Sequence, residues 1–380
     1  MNAHHFRKIR LGIVLTALVF IFSSLCADAT VIITDAETGE PLPKASIFDS
    51  KGCFIAITED NGAVPTTVEA AAYPLNIRYV GYVPIEVSAP DAGIVAMLKN
   101  TYELPEIVVD NAERHLLHVL AYERSYEYEY TIADTLLRFT ERMVDFVFPL
   151  SKKVKFKGWQ NARKLAERQY IHNVKYRKEV KGDTLIYKEN TSARGHNYFY
   201  ALADKYEVPE DLVNGASSKV VVDGKYSPKA TWSKVGKNYF LATDDLADKK
   251  DHVWAPAILK LLGLSLEFTR MEFLYKFSAD ATGSITPDMM DEVAYYLNFI
   301  GKGKFIKKAM RQSEPVPVQC YGELYVVDRA YLTDEEAKAL QKNPPSVAVD
   351  TFQAPPHIPA PPAEFIRLKA EIMASNPDAH

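Results

Sequence analysis

From Thr30 to Asp110 the chain is cut every few residues by turn chemistry, which leaves room for short strands and little else. Glu37-Thr38-Gly39-Glu40 is a turn with Gly where a positive φ is easily met, and Pro41 and Pro43 end the ladder that precedes it. Asp49-Ser50-Lys51-Gly52 and Glu59-Asp60-Asn61-Gly62 mark two further turns. Between them lie β-rich runs at Thr30 to Thr34, Ala45 to Phe48, Cys53 to Thr58, Thr66 to Glu69, Leu75 to Tyr79, Ile85 to Val87 and Ile94 to Leu98. Strands this short, at spacings of about 8–12 residues, predict an all-β sandwich.

Residues 1–29 have the three parts of a secretory signal: Arg7, Lys8 and Arg10, an apolar run from Leu11 to Leu25, and Ala27-Asp28-Ala29 as a small-x-small cleavage site. Cleavage there gives a mature chain starting at Thr30. The run is shorter than the about 20 apolar residues an uncleaved anchor needs. Cys26 offers a second terminus, a lipid-modified one, although Leu25 before it fits such a site poorly. Val253 to Phe277 is rich in Leu, Ile and Phe, but Lys260, Glu267, Arg270, Glu272 and Lys276 interrupt it, so it reads as soluble core.

The chain carries 45 Lys+Arg against 49 Asp+Glu, and 42 against 48 once Arg7, Lys8, Arg10 and Asp28 are removed. That balance gives no electrostatic footprint for nucleic acid. After the signal only Cys53 and Cys320 remain, too few for a disulfide framework and expected as two free or buried thiols.

Four landmarks in the first segment carry a resemblance: Asp35-Ala36-Glu37-Thr38-Gly39-Glu40-Pro41-Leu42-Pro43-Lys44-Ala45; Thr58 with Gly62; Tyr79-Val80-Gly81-Tyr82; and Leu104-Pro105-Glu106-Ile107-Val108-Val109. In this order they resemble the carboxypeptidase regulatory-like domain, a transthyretin-like sandwich common on Gram-negative envelope proteins. The resemblance implies that residues 30–110 form such a sandwich and that the protein belongs to a cell envelope, in the periplasm or associated with the outer membrane. It does not imply peptidase activity, because no H-x-x-E or H-E-x-x-H occurs. Nor are there residues enough for the roughly 22-stranded barrel that follows this domain in nutrient receptors.

Residues 111–345 read as a larger, β-rich α+β domain. Asn111 can cap a helix to about Ala121, which would carry His115 and His118 as solvated side chains. In Tyr126-Glu127-Tyr128-Glu129-Tyr130 the alternation puts three Tyr on one side of a strand. Asp134 to Phe148 is a long apolar-rich stretch, and Val154 to Trp159 a short one. Further strands are expected at Tyr170 to Val180, Thr184 to Glu189, Lys219 to Val222, Tyr239 to Thr243 and Glu314 to Arg329. Thr333-Asp334-Glu335-Glu336 is a capping box for a short helix into Leu340. Phe139 to Asp145, Lys157-Gly158-Trp159 and Gly322 to Asp328 resemble an uncharacterised family of envelope proteins that joins the same sandwich to a mostly β domain. The last strand is also similar to curved half-barrels that carry lipoproteins. Residues 346–380 form a Pro-rich arm, expected to wrap the surface, with a helix from Ala363 to Ala374.

The Tyr stripe 126/128/130 with Tyr198-Phe199-Tyr200 could stack sugars, but aromatics at strand period more often pack a sheet. Asp244, Asp245, Asp248 and Asp251 crowd one stretch without the spacing or central Gly of a calcium loop, and Lys249 and Lys250 balance them. Ser217-Ser218 lacks a nucleophile elbow, and Gly301-Lys302-Gly303-Lys304 is a basic turn rather than a phosphate loop. No residue is assigned as catalytic, cofactor-binding or metal-ligating, and no cofactor is implied. The expectation is a mainly β, exported, non-enzymatic protein whose sandwich and β-rich domain serve binding or assembly. Its partners would be envelope proteins rather than nucleic acid. The alternatives are a carrier of an apolar ligand such as lipid, which requires a sizeable apolar cavity, and a glycan-binding protein.

Overall fold

The computed structural model describes residues 30–100, 114–130, 135–150, 162–172, 184–189, 208–222, 229–244, 253–254, 261, 263, 265–278, 287–304 and 315–375. Within them the protein is mainly β, as its composition of turns and β-branched runs predicts. The signal, Leu104 to Val109, Val154 to Trp159, Tyr198 to Tyr200 and Asp245 to Asp251 lie outside the described residues.

The first segment is a small two-sheet unit. β1 (Ile32–Asp35) pairs in parallel with β6 (Ile94–Met97), and β3 (Phe54–Ile57), β2 (Ser46–Phe48), β4 (Leu75–Arg78) and β5 (Ile85–Val87) form a four-stranded antiparallel sheet in that order. Ile33, Ile47, Leu75, Ile77, Tyr82 and Met97 fill the space between. The landmark residues are tied to one another. Tyr82 donates to Asp35 at 2.8 Å, while the same carboxylate accepts from the Glu37 and Thr38 amides and closes the opening turn. Thr58 Oγ1 donates to the Leu42 carbonyl at 2.7 Å and accepts from the Ala45 amide. One expected strand is absent: after Pro65 the chain turns instead, the Val68 amide bonding back to the Pro65 carbonyl at 3.0 Å.

The rest builds one large antiparallel sheet. Its order is β10 (Thr184–Glu189), β9 (Arg163–His172), β8 (Thr135–Pro149), β7 (Leu116–Tyr130), β17 (Val316–Leu332), β16 (Met290–Lys302), β15 (Ser265–Phe277), β13 (Asn238–Asp244), β12 (Lys229–Val235) and β11 (Lys219–Val222), with β14 (Val253–Trp254) also on β15. The helix expected at residues 111–121 is overturned over its described part. Leu116 to Ala121 open the 15-residue strand β7, paired on both edges. Both faces of this strand are buried, so its apolar residues run together rather than alternate, and the sequence mimics a helix. Gly301-Lys302 likewise lies at the end of β16, before the turn at Gly303.

Three helices are added: α1 (Glu210–Val213), α2 (Asp334–Lys342) and α3 (Ala363–Ser375). α2 begins on the expected capping box, in which Thr333 Oγ1 accepts from the Glu336 amide at 3.2 Å and the Glu336 carboxylate from the Thr333 amide at 2.9 Å. The Pro-rich arm lies on the sheet, with Val349, Phe352 and Ile358 buried against Tyr122, Met143 and Tyr325.

Candidate functional site: the junction of sandwich, sheet and arm

Strand alternation gives the large sheet two unlike faces. On β7 the odd residues Leu117, Val119 and Ala121 belong to one buried cluster, and the even residues Tyr126 and Tyr128 belong to the cluster that includes the sandwich core. Register then aligns the second face into rows. Tyr170, Phe139, Tyr126, Tyr321 and Tyr296 stand opposite one another across five adjacent strands. Their rings lie near-parallel at 5.8 Å between Phe139 and Tyr170, 5.2 Å between Tyr126 and Phe139, and 5.9 Å between Tyr126 and Tyr321. One step along the strands a row of charges, Arg168, Glu141, Arg124 and Glu323, follows the same path.

The aromatic row is the seat of the sandwich. Phe48 meets Tyr126 and Tyr321 edge-on, Phe54 stacks on Tyr321 at 5.5 Å, and Phe365 of α3 closes the other side at 4.6 Å from Tyr126. Tyr128 donates to the Gly52 carbonyl. Tyr126 and Tyr128 therefore pack the sheet, the plainer reading of the stripe, and neither presents a ring to solvent for a sugar to stack on. Farther along, Tyr79 and Tyr82 rest on Phe240 of β13. The Gly81 amide donates to Glu292 at 2.8 Å, and Lys276 Nζ donates to the same carboxylate at 3.0 Å. Gly81 has φ +79°, and a Cβ there would stand 2.7 Å from Lys276 Cδ, so both conformation and space call for glycine.

The charged row binds all three parts. Arg78 of the sandwich donates to Glu323 at 2.8 Å and Arg124 donates to it at 2.5 Å. Burial opposes the charge on Glu323, but Arg124 and Arg78 outweigh it and hold the carboxyl near 2. The guanidinium groups reach on to the arm: Arg78 to the Ala360 carbonyl at 2.8 Å, Arg124 to Pro359 at 2.6 Å, and Arg168 to Phe352 at 2.6 Å. An extended Pro-rich segment has carbonyls that no helix or ladder claims, and these arginines satisfy them. Glu141 accepts from Lys369 of α3 at 2.8 Å and from Tyr122 at 2.8 Å. Its carboxyl is lowered by Lys369 and Arg168 despite its burial.

The opposite face holds a second ion cluster, with Arg142 donating to Glu123 at 3.0 Å and to Glu167 at 2.5 Å. Glu167 resists burial through Arg142 and Lys164 and sits near 2. Tyr295 lies over Gly322 and donates to Glu123 at 2.9 Å.

His115 and His118 stand three apart, on opposite sides of the chain, rather than together on a helix; His115 meets Asp334 at 3.2 Å and His118 meets Asp145 at 3.1 Å. Cys53 and Cys320 are free thiols, and burial raises Cys53 to about 11 and Cys320 above its usual range. Among the described residues no group of three or more His, Cys, Asp or Glu could hold a metal, and no helix is long and apolar enough to cross a membrane. A cleft lined by described residues, between Lys44, Ser46 and Ile57 of the sandwich and Glu272, Leu274 and Tyr296 of the sheet, holds about 30 Å³. That is room for a water or two and not for a lipid.

The chemistry-bearing residues of this junction escaped the sequence reading. Arg78, Arg124 and Glu323 are far apart in the chain, and the signal available was a carboxylate inside the otherwise apolar run Tyr321 to Val327.

No protein-family model and no curated protein matches the sequence. Among solved structures, "Lipid-protein interactions in lipovitellin" matches over 63% of this chain and 26% of that one, with 9% identity and a TM-score of 0.21. At that score the likeness carries no argument.

Proposed function

We propose that the protein is an exported, non-enzymatic envelope protein that works by binding or assembly, with the small sandwich as a rigid adaptor held on the large sheet. One observation carries this reading. The aromatic-row face of the large sheet is occupied by the protein's own sandwich, arm and α3, locked by Arg78, Glu323 and Arg124. A sandwich fixed in this way presents its outer surface in one orientation, which is what a docking platform requires. Export and an envelope location rest on the signal at residues 1–29 and on the landmark residues.

Native mass spectrometry of the mature protein from its own host, with lipid extraction alongside, tests the reading. The expected result is a species free of lipid and sugar, bare or with a protein partner. A co-purifying lipid of fixed mass would overturn it in favour of a carrier. The same spectrum reads the N-terminus, where an unmodified Thr30 is expected.

A further inference from the structure

α3 has two apolar sides. Phe365, Leu368 and Ile372 are buried, at the spacing that turns one side of a helix to the core. Ile366, Ala370 and Met373 recur at intervals of four and three on another side, and this one is open to solvent, with Ile366 48% and Met373 43% exposed. A helix that only capped the aromatic row would carry polar residues there.

A charged margin runs beside the exposed stripe. At about 100° per residue, Glu364, Arg367 and Glu371 all fall on the same side of it. Arg367 donates to Glu364 at 3.0 Å and to Glu371 at 3.2 Å, and its side chain is 67% exposed. Exposed pairs of this kind contribute little and exchange partners at small cost.

This surface is complementary to itself. When two copies of α3 lie antiparallel, a two-fold axis beside Ala370 sets Ile366 of each copy against Met373 of the other. The same axis sets Arg367 of each against Glu371 of the other, because the two pairs share nearly the same midpoint in the helix. Apolar margin then meets apolar margin and guanidinium meets carboxylate, with the small Ala370 at the crossing, where it allows a close approach of the two axes. A membrane surface fits less well. Helices that lie on lipid carry Lys and Arg on their polar side, whereas this margin holds two carboxylates and one guanidinium. We infer that the outer side of α3 is a docking surface for a second copy of this chain, closed by an antiparallel, two-fold helix pair. The pairing goes beyond the adaptor reading and does not depend on it. One helix pair is smaller than a standard interface, so dissociation constants of about 10–100 µM are expected.

The test is sedimentation of the full mature chain from about 1 to 300 µM, a range that brackets such an affinity. Dimer is expected to grow with concentration, and Ile366→Lys, on an exposed side chain, should weaken it about tenfold or more. Arg367→Glu and Glu371→Arg alone each set like charges across the axis and should weaken it about threefold to tenfold. An equimolar mixture of these two variants restores both opposite-charge contacts and should dimerise about as well as the parent. A merely structural role for either residue would not produce that recovery. Unchanged thermal midpoints in the three variants show that each is folded. A chain monomeric throughout, a dimer indifferent to Ile366→Lys, or a mixture no tighter than its separate components would overturn the proposal. So would a monomer that binds vesicles of phosphatidylethanolamine and phosphatidylglycerol and loses that binding in Ile366→Lys, since the stripe would then belong to lipid.

Discussion

Arg78 and Glu323, 245 positions apart in the chain, meet at 2.8 Å and are both buried. Arg124 shares the carboxylate from the strand beside it, so one anion joins sandwich and sheet. Removing it strands two guanidinium groups where water cannot reach them. Glu323→Ala should therefore cost about 3–5 kcal/mol in urea unfolding. An unchanged midpoint would mean that the sandwich is held by its aromatic contacts alone.

The pH dependence follows from the same groups. Glu323 and Glu167 are held near 2 in the folded protein, against 4.5 for an unperturbed glutamate. A depressed carboxyl contributes stability that is present above its unfolded value and is lost as pH falls toward its folded one. Thermal midpoints should thus be flat on this account above about pH 5 and drop steeply between pH 4.5 and 2. Glu323→Gln should start lower and fall less over that window, because one of the two linked protons is gone. A variant that tracks the parent through the whole acid limb would assign the loss to other carboxylates.

What the sequence disclosed has a pattern. β10 and β11 were legible to the residue, Thr184–Glu189 and Lys219–Val222, because short β-branched runs bounded by polar residues have few other readings. The sandwich was legible through its turn residues, and α2 through Thr333 and Glu336. β15 and β16 were not assigned and β7 opened as a helix, since a strand buried on both faces loses the period of two that marks it. In β15, Glu272 and Lys276 were legible only as charges interrupting an apolar run; the structure pairs them with Lys44 of the sandwich and Glu292 of β16. The junction itself was invisible because its partners come from three distant stretches of chain, and no local periodicity records such a meeting.

Gly322 is required for space. It stands opposite Tyr295 in the ladder, and a Cβ built on it would lie 1.9 Å from Tyr295 Cζ. The ring cannot simply swing aside, because its hydroxyl is bonded to Glu123, which also holds Arg142. Gly322→Ala should cost about 1–3 kcal/mol or somewhat more. Combined with Tyr295→Ala its effect should be smaller than the sum of the two single losses. Strict additivity in that cycle would show that the two residues do not meet.

The arm and α3 are part of the core, and a single residue tests that. Phe365 is buried, with its ring 4.6 Å from Tyr126, 5.7 Å from Phe139 and 6.3 Å from Tyr128. Lys369, one turn on, bonds Glu141 beneath it. An appended peptide that merely lay on the surface could lose Phe365 with little effect on global unfolding. A ring that caps the aromatic row cannot, because its loss leaves a cavity over Tyr126 and uncovers Phe139 and Tyr128. Phe365→Ala should cost about 3–5 kcal/mol, read as one cooperative transition by near-ultraviolet circular dichroism and by tryptophan fluorescence together. Two separated transitions, with the tryptophan signal unmoved, would instead make the sandwich and α3 a unit that unfolds apart from the sheet.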